Sequence, residues 1–565
     1  MTDRTPAFRA AVVQTLAELG DLDTNIDIVR QSVEEAVRQG ARLVVLPECM
    51  NTGYLFDSPE HARQLAEPVD GRYAQALGEM CRTHDIHIAT GFTELDADGQ
   101  RVFNSALLLD RRGELILHYQ KQFLAPHDQN WFSFGERGCP VVDTELGRLA
   151  LLICFDGRIP EIARSLALQG AEVILDMANF FAMDQADMWV PARAYENGVW
   201  FVAGTKAGVE RSIYYPGGSM IVAPDGGVRA YLPHDTHGVA VAEVDPAAAR
   251  DKRWPAAGDR WRDRRPETYA LLAEPFERTP VAKYLAEPLV PEQATAKAAA
   301  VQGHATAAPG SLEASLDMVE HAAKLGAKVL VLPQHAPLAT WLPSRDEATA
   351  GLAAGERALQ WLSDISRRYG CVAVLPRIAQ RDGALVSEAV LLGPDGQVLG
   401  RQTQVHPEPE LAPWTRAGED FSLFNTPFGR LGVLLGYDGL FPESARVLAL
   451  KGADAIAWCA AWRHPNDRRL LTVPMAEDNR CFLICANRSD APVPGGSFVV
   501  PPTGFPQWDV DVAAPPVSRH NAVMPGFMNL ALARQKSMVP QVDMVRNRLV
   551  ETYEPLVLPA AASAA

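Results

Sequence analysis

Gly147-Arg-Leu-Ala-Leu-Leu-Ile-Cys154-Phe-Asp-Gly-Arg-Ile-Pro160-Glu-Ile-Ala-Arg164 is an apolar run, a short polar turn and a proline that opens a second apolar stretch. The run Leu149–Ile153 predicts a strand buried on both faces. The proline, whose ring pre-sets a helical φ, predicts a helix over 160–169. A strand-to-helix turn puts Cys154 at the rim of a sheet, beside the free N–H groups that start a helix. That position predicts an exposed thiol with a lowered pKa. The pattern returns as Gly429-Arg-Leu-Gly-Val-Leu-Leu-Gly436-Tyr-Asp-Gly-Leu-Phe-Pro442-Glu-Ser-Ala-Arg446, with glycine where the cysteine stands.

Other pairs keep the same order at an offset of about 280 residues. Ala10–Gln14 and Gly40–Pro47 are echoed by Ala299–Gln302 and Gly326–Pro333, and Gly217-Gly-Ser219 by Gly495-Gly-Ser497. Arg265–Tyr269 has a looser echo in Leu549–Tyr553. A period this long is a duplicated domain, since solenoid repeats run about 20–50 residues. Strands and helices interleave in each copy, with a hairpin around Asp110–Gly113, which gives a layered α/β (α+β) class. The expected organisation is a first domain over 1–274, a proline-bearing linker without regular structure over 275–296, a second domain over 297–555 and a frayed tail over 556–565.

The chain has 565 residues, 47% apolar and 22% charged, with a net charge of −16. That length suits two domains, and the acidic balance disfavours a nucleic-acid footprint. No apolar run is long enough for a membrane helix, and the first residues carry no signal-peptide pattern. The eight cysteines show no disulfide or zinc spacing, so a reduced, cytoplasmic protein without a metal is expected.

Two more residues sit where chemistry could be done. Glu48 follows the β-type run Leu43–Pro47, where a carboxylate can act as a base. Lys121 follows Leu115–His118, where an ammonium can face an oxyanion. Singly, Cys154 also reads as a core cysteine, Glu48 as a loop residue and Lys121 as a surface lysine. Together, Leu-Pro-Glu48, Tyr-Gln-Lys121 and Ile-Cys154-Phe-Asp-Gly-Arg-Ile-Pro-Glu resemble the nitrilase superfamily of carbon–nitrogen hydrolases. The resemblance implies two tandem α-β-β-α sandwich domains and a Glu–Lys–Cys triad that needs no cofactor. It implies that the Phe155 N–H joins Lys121 in facing the oxyanion. It also implies that Asp128, near the family's second glutamate, supports Lys121, while His127 is structural.

The second copy has Gln334, Gln404 and Gly436 at the three triad positions, so the resemblance implies a domain without chemistry. Phe155-Asp156 after the nucleophile departs from the Trp-Glu of true nitrilases. The stretch Ala203–Glu210 and Gly217–Pro224 resembles N-carbamoyl-D-amino-acid amidohydrolases, and by that likeness Arg158 and Asn179 contact substrate. The family's neighbouring arginine is Gly157 here, so a two-arginine hold on a carboxylate is not intact. The expected activity is hydrolysis of a small amide or ureido (N-carbamoyl) substrate through a thioester. A nitrilase or acyl transferase on the same triad, and a non-catalytic scaffold, are the alternatives. The family's habit of pairing sandwiches through helices beside the nucleophile implies an intramolecular pseudo-dimer, with further homo-oligomerisation left open. Its expected faces are Pro160–Gln169 and Pro442–Lys451, through apolar residues such as Ile162, Leu166, Val447 and Leu450.

Overall fold

In the first copy, alternate residues along the strands of one sheet serve two different cores. Ala11 and Val13 pack with Ile26, Val29, Val33, Leu77 and Met80 of two helices, whereas Ala10 and Val12 pack with Leu149 and Leu151 of a second sheet. The period of two along a strand thus produces layers. The computed structural model describes residues 5–288, 295–506 and 520–559. The first sheet has the order Gly238–Val244, Phe8–Gln14, Leu43–Val45, His87–Leu95, Val102–Leu109, Leu115–Gln120. The second has the order Val228–Tyr231, Met220–Val222, Trp200–Thr205, Val173–Ala178, Gly147–Ile153, Val141–Thr144. Helices Leu22–Arg38 and Arg72–His84 cover the first sheet, and Pro160–Leu168 and Val190–Asn197 lie against the second. Each copy is an α-β-β-α sandwich.

The second copy repeats the plan. A six-stranded sheet has Val372–Arg381 and Val329–Val331 at its centre, with Thr295–Gln302 beside the latter. It faces a sheet built from Leu423–Thr426, Gly429–Leu435, Ala455–Ala460, Phe482–Asn487 and Phe498–Val500. The three parallel strands at the heart of each second sheet are buried along almost their whole length, which explains their largely apolar runs.

The contact between the copies adds buried charges to the apolar stripes anticipated above. The helix Pro160–Leu168 is buried along its whole length, and so are its charged residues. Arg164 Nε meets Glu443 Oε1 at 2.8 Å, and Arg446 Nε meets Glu161 Oε1 at 2.8 Å. These are the same two positions of each copy, exchanged across a local two-fold. Apolar packing accompanies them, because one continuous cluster holds Leu166 and Trp189 together with Leu448 and Met475.

Two expectations fail at the ends of the copies. The described part of 275–296 is not without regular structure: Pro280–Ala286 is a helix opened by its proline, Thr295 already belongs to a strand, and 289–294 lie outside the described residues. Tyr284 anchors that helix by donating to Asp454 of the second copy. The residues up to 559 of the expected tail are not frayed either. Leu556 is buried in the helix Glu554–Val557, which packs on Pro160–Leu168. Its carbonyl accepts from Arg264 Nη2 at 2.5 Å, while Arg548 donates in return to Leu272 O. Each copy's end therefore docks on the other copy, and residues 560–565 lie outside the described residues.

Candidate active site

Cys154 begins a short 3-10 turn directly after its strand, with φ of 50°. A non-glycine residue in the left-handed region is strained, and such strain collects at functional turns. Asp176, from the adjacent parallel strand, holds the turn by accepting the Cys154 N–H at 2.8 Å. The thiol is not exposed: Cys154 is 3% accessible, because loop residues close over it. Its sulfur lies 3.6 Å from the Asn179 carbonyl and 3.7 Å from Gln185 Nε2. The lowered thiol pKa expected from a helix start is also overturned. Burial pushes it well above the ordinary value, Glu48 adds to the shift, and Lys121 opposes it. Burial thus favours the neutral thiol over the thiolate.

Glu48, Lys121 and Asp128 form one buried cluster. Lys121 Nζ lies 2.8 Å from Glu48 Oε1 and 2.8 Å from Asp128 Oδ2, with all three side chains essentially inaccessible. Burial works against the ammonium, but the Asp128 and Glu48 carboxylates outweigh it and hold Lys121 well above its ordinary pKa. Asp128 also accepts from Tyr54 Oη at 2.7 Å and from the Ala125 N–H at 2.8 Å. The shorter aspartate thus reaches the lysine because its loop brings it in. Asn104 Nδ2 donates to Glu48 Oε1 at 2.6 Å, so that oxygen is fully engaged. Glu48 Oε2 is buried without a partner. Gly91 lies against the Glu48 backbone so closely that a Cβ there would collide with it.

The remaining expected residues divide. Both side-chain polar atoms of Asn179 are buried and unpartnered, as a group awaiting a ligand would be. Phe155 stacks on Phe123 with ring centroids 5.9 Å apart. Arg158 does not present a free guanidinium: it pairs with Asp184 at 3.1 Å and with Glu477 of the second copy at 3.3 Å. His127 is exposed, its ring 5.7 Å from that of Phe181, which also faces Tyr54 and Tyr215. Sequence reasoning missed Asp176, Tyr54, Asn104 and Gln185. Only Asp176 carried a signal, as an acid inside the apolar run Val173-Ile-Leu-Asp-Met-Ala178.

The second copy shows how such a site closes. Gly436 keeps the left-handed turn at φ of 44°, but Glu408 fills the space in front of it. The Glu408 carboxylate accepts from Gln334 Nε2 at 2.7 Å, Gln404 Nε2 at 3.0 Å and the Tyr437 N–H at 3.2 Å. Trp458 stands in the register position of Asp176 and donates to Gly436 O at 3.0 Å. A Cβ on Gly436 would collide with Glu408 and Gln334. Gly436→Cys should therefore add no second reactive thiol and should lower the unfolding temperature by several degrees, from overpacking of about 1–3 kcal/mol. Titration of the variant with a thiol-directed amide analogue, alongside calorimetry, checks both halves. Gln334→Glu should change turnover by no more than about twofold.

A carbon-nitrogen hydrolase family model matches residues 9–253 and again 297–506. A protein named nitrilase from Pyrococcus abyssi is 35% identical over 262 residues, covering 46% of this chain and 98% of its own. Mouse deaminated glutathione amidase is 28% identical over 271 residues, covering 45% of this chain and 82% of its own. Among solved structures, an amidase from Nesterenkonia sp. aligns with a TM-score of 0.39 at 27% identity, over 44% of this chain and 95% of that one. No helix among the described residues is long and apolar enough to cross a membrane. The two matched segments take in most of the chain, and this protein belongs to the carbon-nitrogen hydrolase family of the nitrilase superfamily, with two copies of its domain in tandem.

Proposed function

We propose that the first copy is a cysteine amidohydrolase that cleaves the C–N bond of a small amide or ureido compound through a thioester. The observation that carries the reading is the unpartnered Glu48 Oε2, set beside a lysine held between two carboxylates and acting on a buried neutral thiol. Glu48 takes the thiol proton as Cys154 Sγ attacks the carbonyl carbon. The oxyanion forms against the Lys121 ammonium and the Phe155 N–H. Glu48 returns the proton to the leaving nitrogen as the C–N bond breaks, releasing ammonia or an amine. A water then loses its proton to Glu48 and attacks the thioester, and collapse of that adduct frees the acid and restores the thiol. Asn179 orients the substrate.

The nitrile reading stays in view because the Pyrococcus relative carries the name nitrilase. Ammonia release from a panel of amides, ureido acids and nitriles decides: amides or ureido compounds turn over if the proposal holds, and nitriles alone if it fails. The division at 275–296 into a working copy and a silent one is part of the same reading. The silent copy serves as a tethered partner in a pseudo-dimer, which the exchanged Arg164–Glu443 and Arg446–Glu161 pairs support. The eight described cysteines are buried and free, which suits a reducing cytoplasmic setting.

A further inference from the structure

Arg158 is the group that a substrate carboxylate would seek, and the second copy has already supplied one. The Arg158 guanidinium is buried over the Trp189 ring, 4.4 Å from its centroid. Its Nη2 donates to Asp184 Oδ1 at 3.1 Å, and its Nη1 to Glu477 Oε1 at 3.3 Å and Oε2 at 3.4 Å. The residue after Asp184 is Gln185, whose Nε2 touches the Cys154 sulfur at 3.7 Å. The charged group therefore sits within one residue of the nucleophile's own contact. One cation faces two carboxylates, and Asp478 and Arg480, which also act on Glu477, carry opposite charges and leave that surplus of one negative charge in place.

The placement of Glu477 is one-sided. Arg193-Ala-Tyr-Glu-Asn197 and Met475-Ala-Glu-Asp-Asn479 occupy matching places in the two copies. Tyr195 is the counterpart of Glu477, and it turns towards the silent copy to donate to Asp467 at 2.8 Å. The carboxylate occurs only on the side that faces the working site. Asp478, its neighbour, binds Arg193 at 2.8 Å, and Arg193 in turn donates to the carbonyls of Gly157 and Arg158 in the nucleophile turn.

We propose that Glu477 of the second copy, with Asp184, makes this wall of the site anionic, so that the enzyme selects neutral amides and rejects substrates that carry a carboxylate. The inference rests on the amidohydrolase reading and narrows its substrate class. Selection by an unfavourable charge costs the wrong substrate more than it helps the right one. Removing each carboxylate should shift the preference towards an anion by roughly tenfold, the scale of one close charge pair in a partly screened site.

Butyramide and succinamate test it, because they differ by a methyl group against a carboxylate. Affinities are read by calorimetry in full-length Cys154→Ala protein, where no turnover intervenes, at about pH 8.5. Burial pushes the Glu477 carboxyl up to about 7, with Arg158 opposing, so it is ionised there. The parent should bind butyramide the more tightly. Glu477→Gln should move the affinity ratio about tenfold towards succinamate, and Asp184→Asn added to it should move the ratio by a similar factor again. Asp184→Asn alone, which leaves the contact between the copies in place, covers the case in which Glu477→Gln weakens folding. A ratio unchanged in correctly folded variants, a parent that prefers succinamate, or a parent that binds no butyramide overturns the inference. The amidohydrolase reading is judged separately, by ammonia release from the wild-type protein.

Discussion

Cys154→Ala should abolish the proposed ammonia release, a loss of at least about 10⁴-fold in kcat, while the protein should keep its fold to within about 1 kcal/mol. The nucleophile is one sulfur atom, and alanine retains the Cβ that the strained turn already accommodates. Among the other triad residues, Glu48→Gln is the cleaner test. It leaves the Lys121–Asp128 pair in place and takes away the base, so a loss of several orders of magnitude follows without collapse. Lys121→Ala would strand two buried carboxylates, a penalty of about 3–5 kcal/mol that confounds chemistry with folding. Steady-state assays beside thermal unfolding separate the two effects. Residual turnover within tenfold of wild type in Cys154→Ala or Glu48→Gln would refute the triad.

Glu443→Ala should be the most destabilising single change at the contact between the copies. Its carboxylate meets Arg164 at 2.8 Å and Arg264 at 3.0 Å, and all three side chains are buried. Truncation leaves two buried guanidinium groups without their shared carboxylate, at a cost of about 3–5 kcal/mol. Burial raises the Glu443 carboxyl, but Arg164 and then Arg264 outweigh it and hold it at about 2, against an ordinary value of 4.5. The folded pKa is thus the lower one. The stabilisation is complete above the ordinary value and disappears as pH falls through about 2. Unfolding temperatures of wild type and Glu443→Gln should accordingly differ most near neutrality and converge in acid. A constant difference across that range would show that the contact owes its strength to packing rather than to charge.

The duplication, the order of Glu48, Lys121 and Cys154 at strand ends, and the glutamines and glycine at the matching places of the second copy were legible in the sequence because each rests on residue type and order. Apolar runs of strand length, a proline at a helix start and three reactive side chains at strand ends are local properties. Glutamine and glycine at the second copy's positions lack a base and a nucleophile whatever surrounds them. The layered α/β class follows in the same way from the periods of strand and helix.

What the sequence hid belongs to contacts between distant segments. The ionisation of Cys154 was misjudged because a helix start is a local feature, whereas burial depends on loops such as Asn179–Gln185 that close only in three dimensions. Arg158 looked available because Glu477 lies over three hundred residues away along the chain. The helix at 280–286 and the docked end at Leu556 were read as irregular because short proline-bearing segments have little preference of their own. They gain structure by packing against the other copy. The sequence alone thus determined the family, the duplication and which reactive side chains stand at the strand ends, since these reside in residue type and order. Only the tertiary structure decided which charges are free to act, because burial and pairing are made by groups that the chain keeps far apart until it folds.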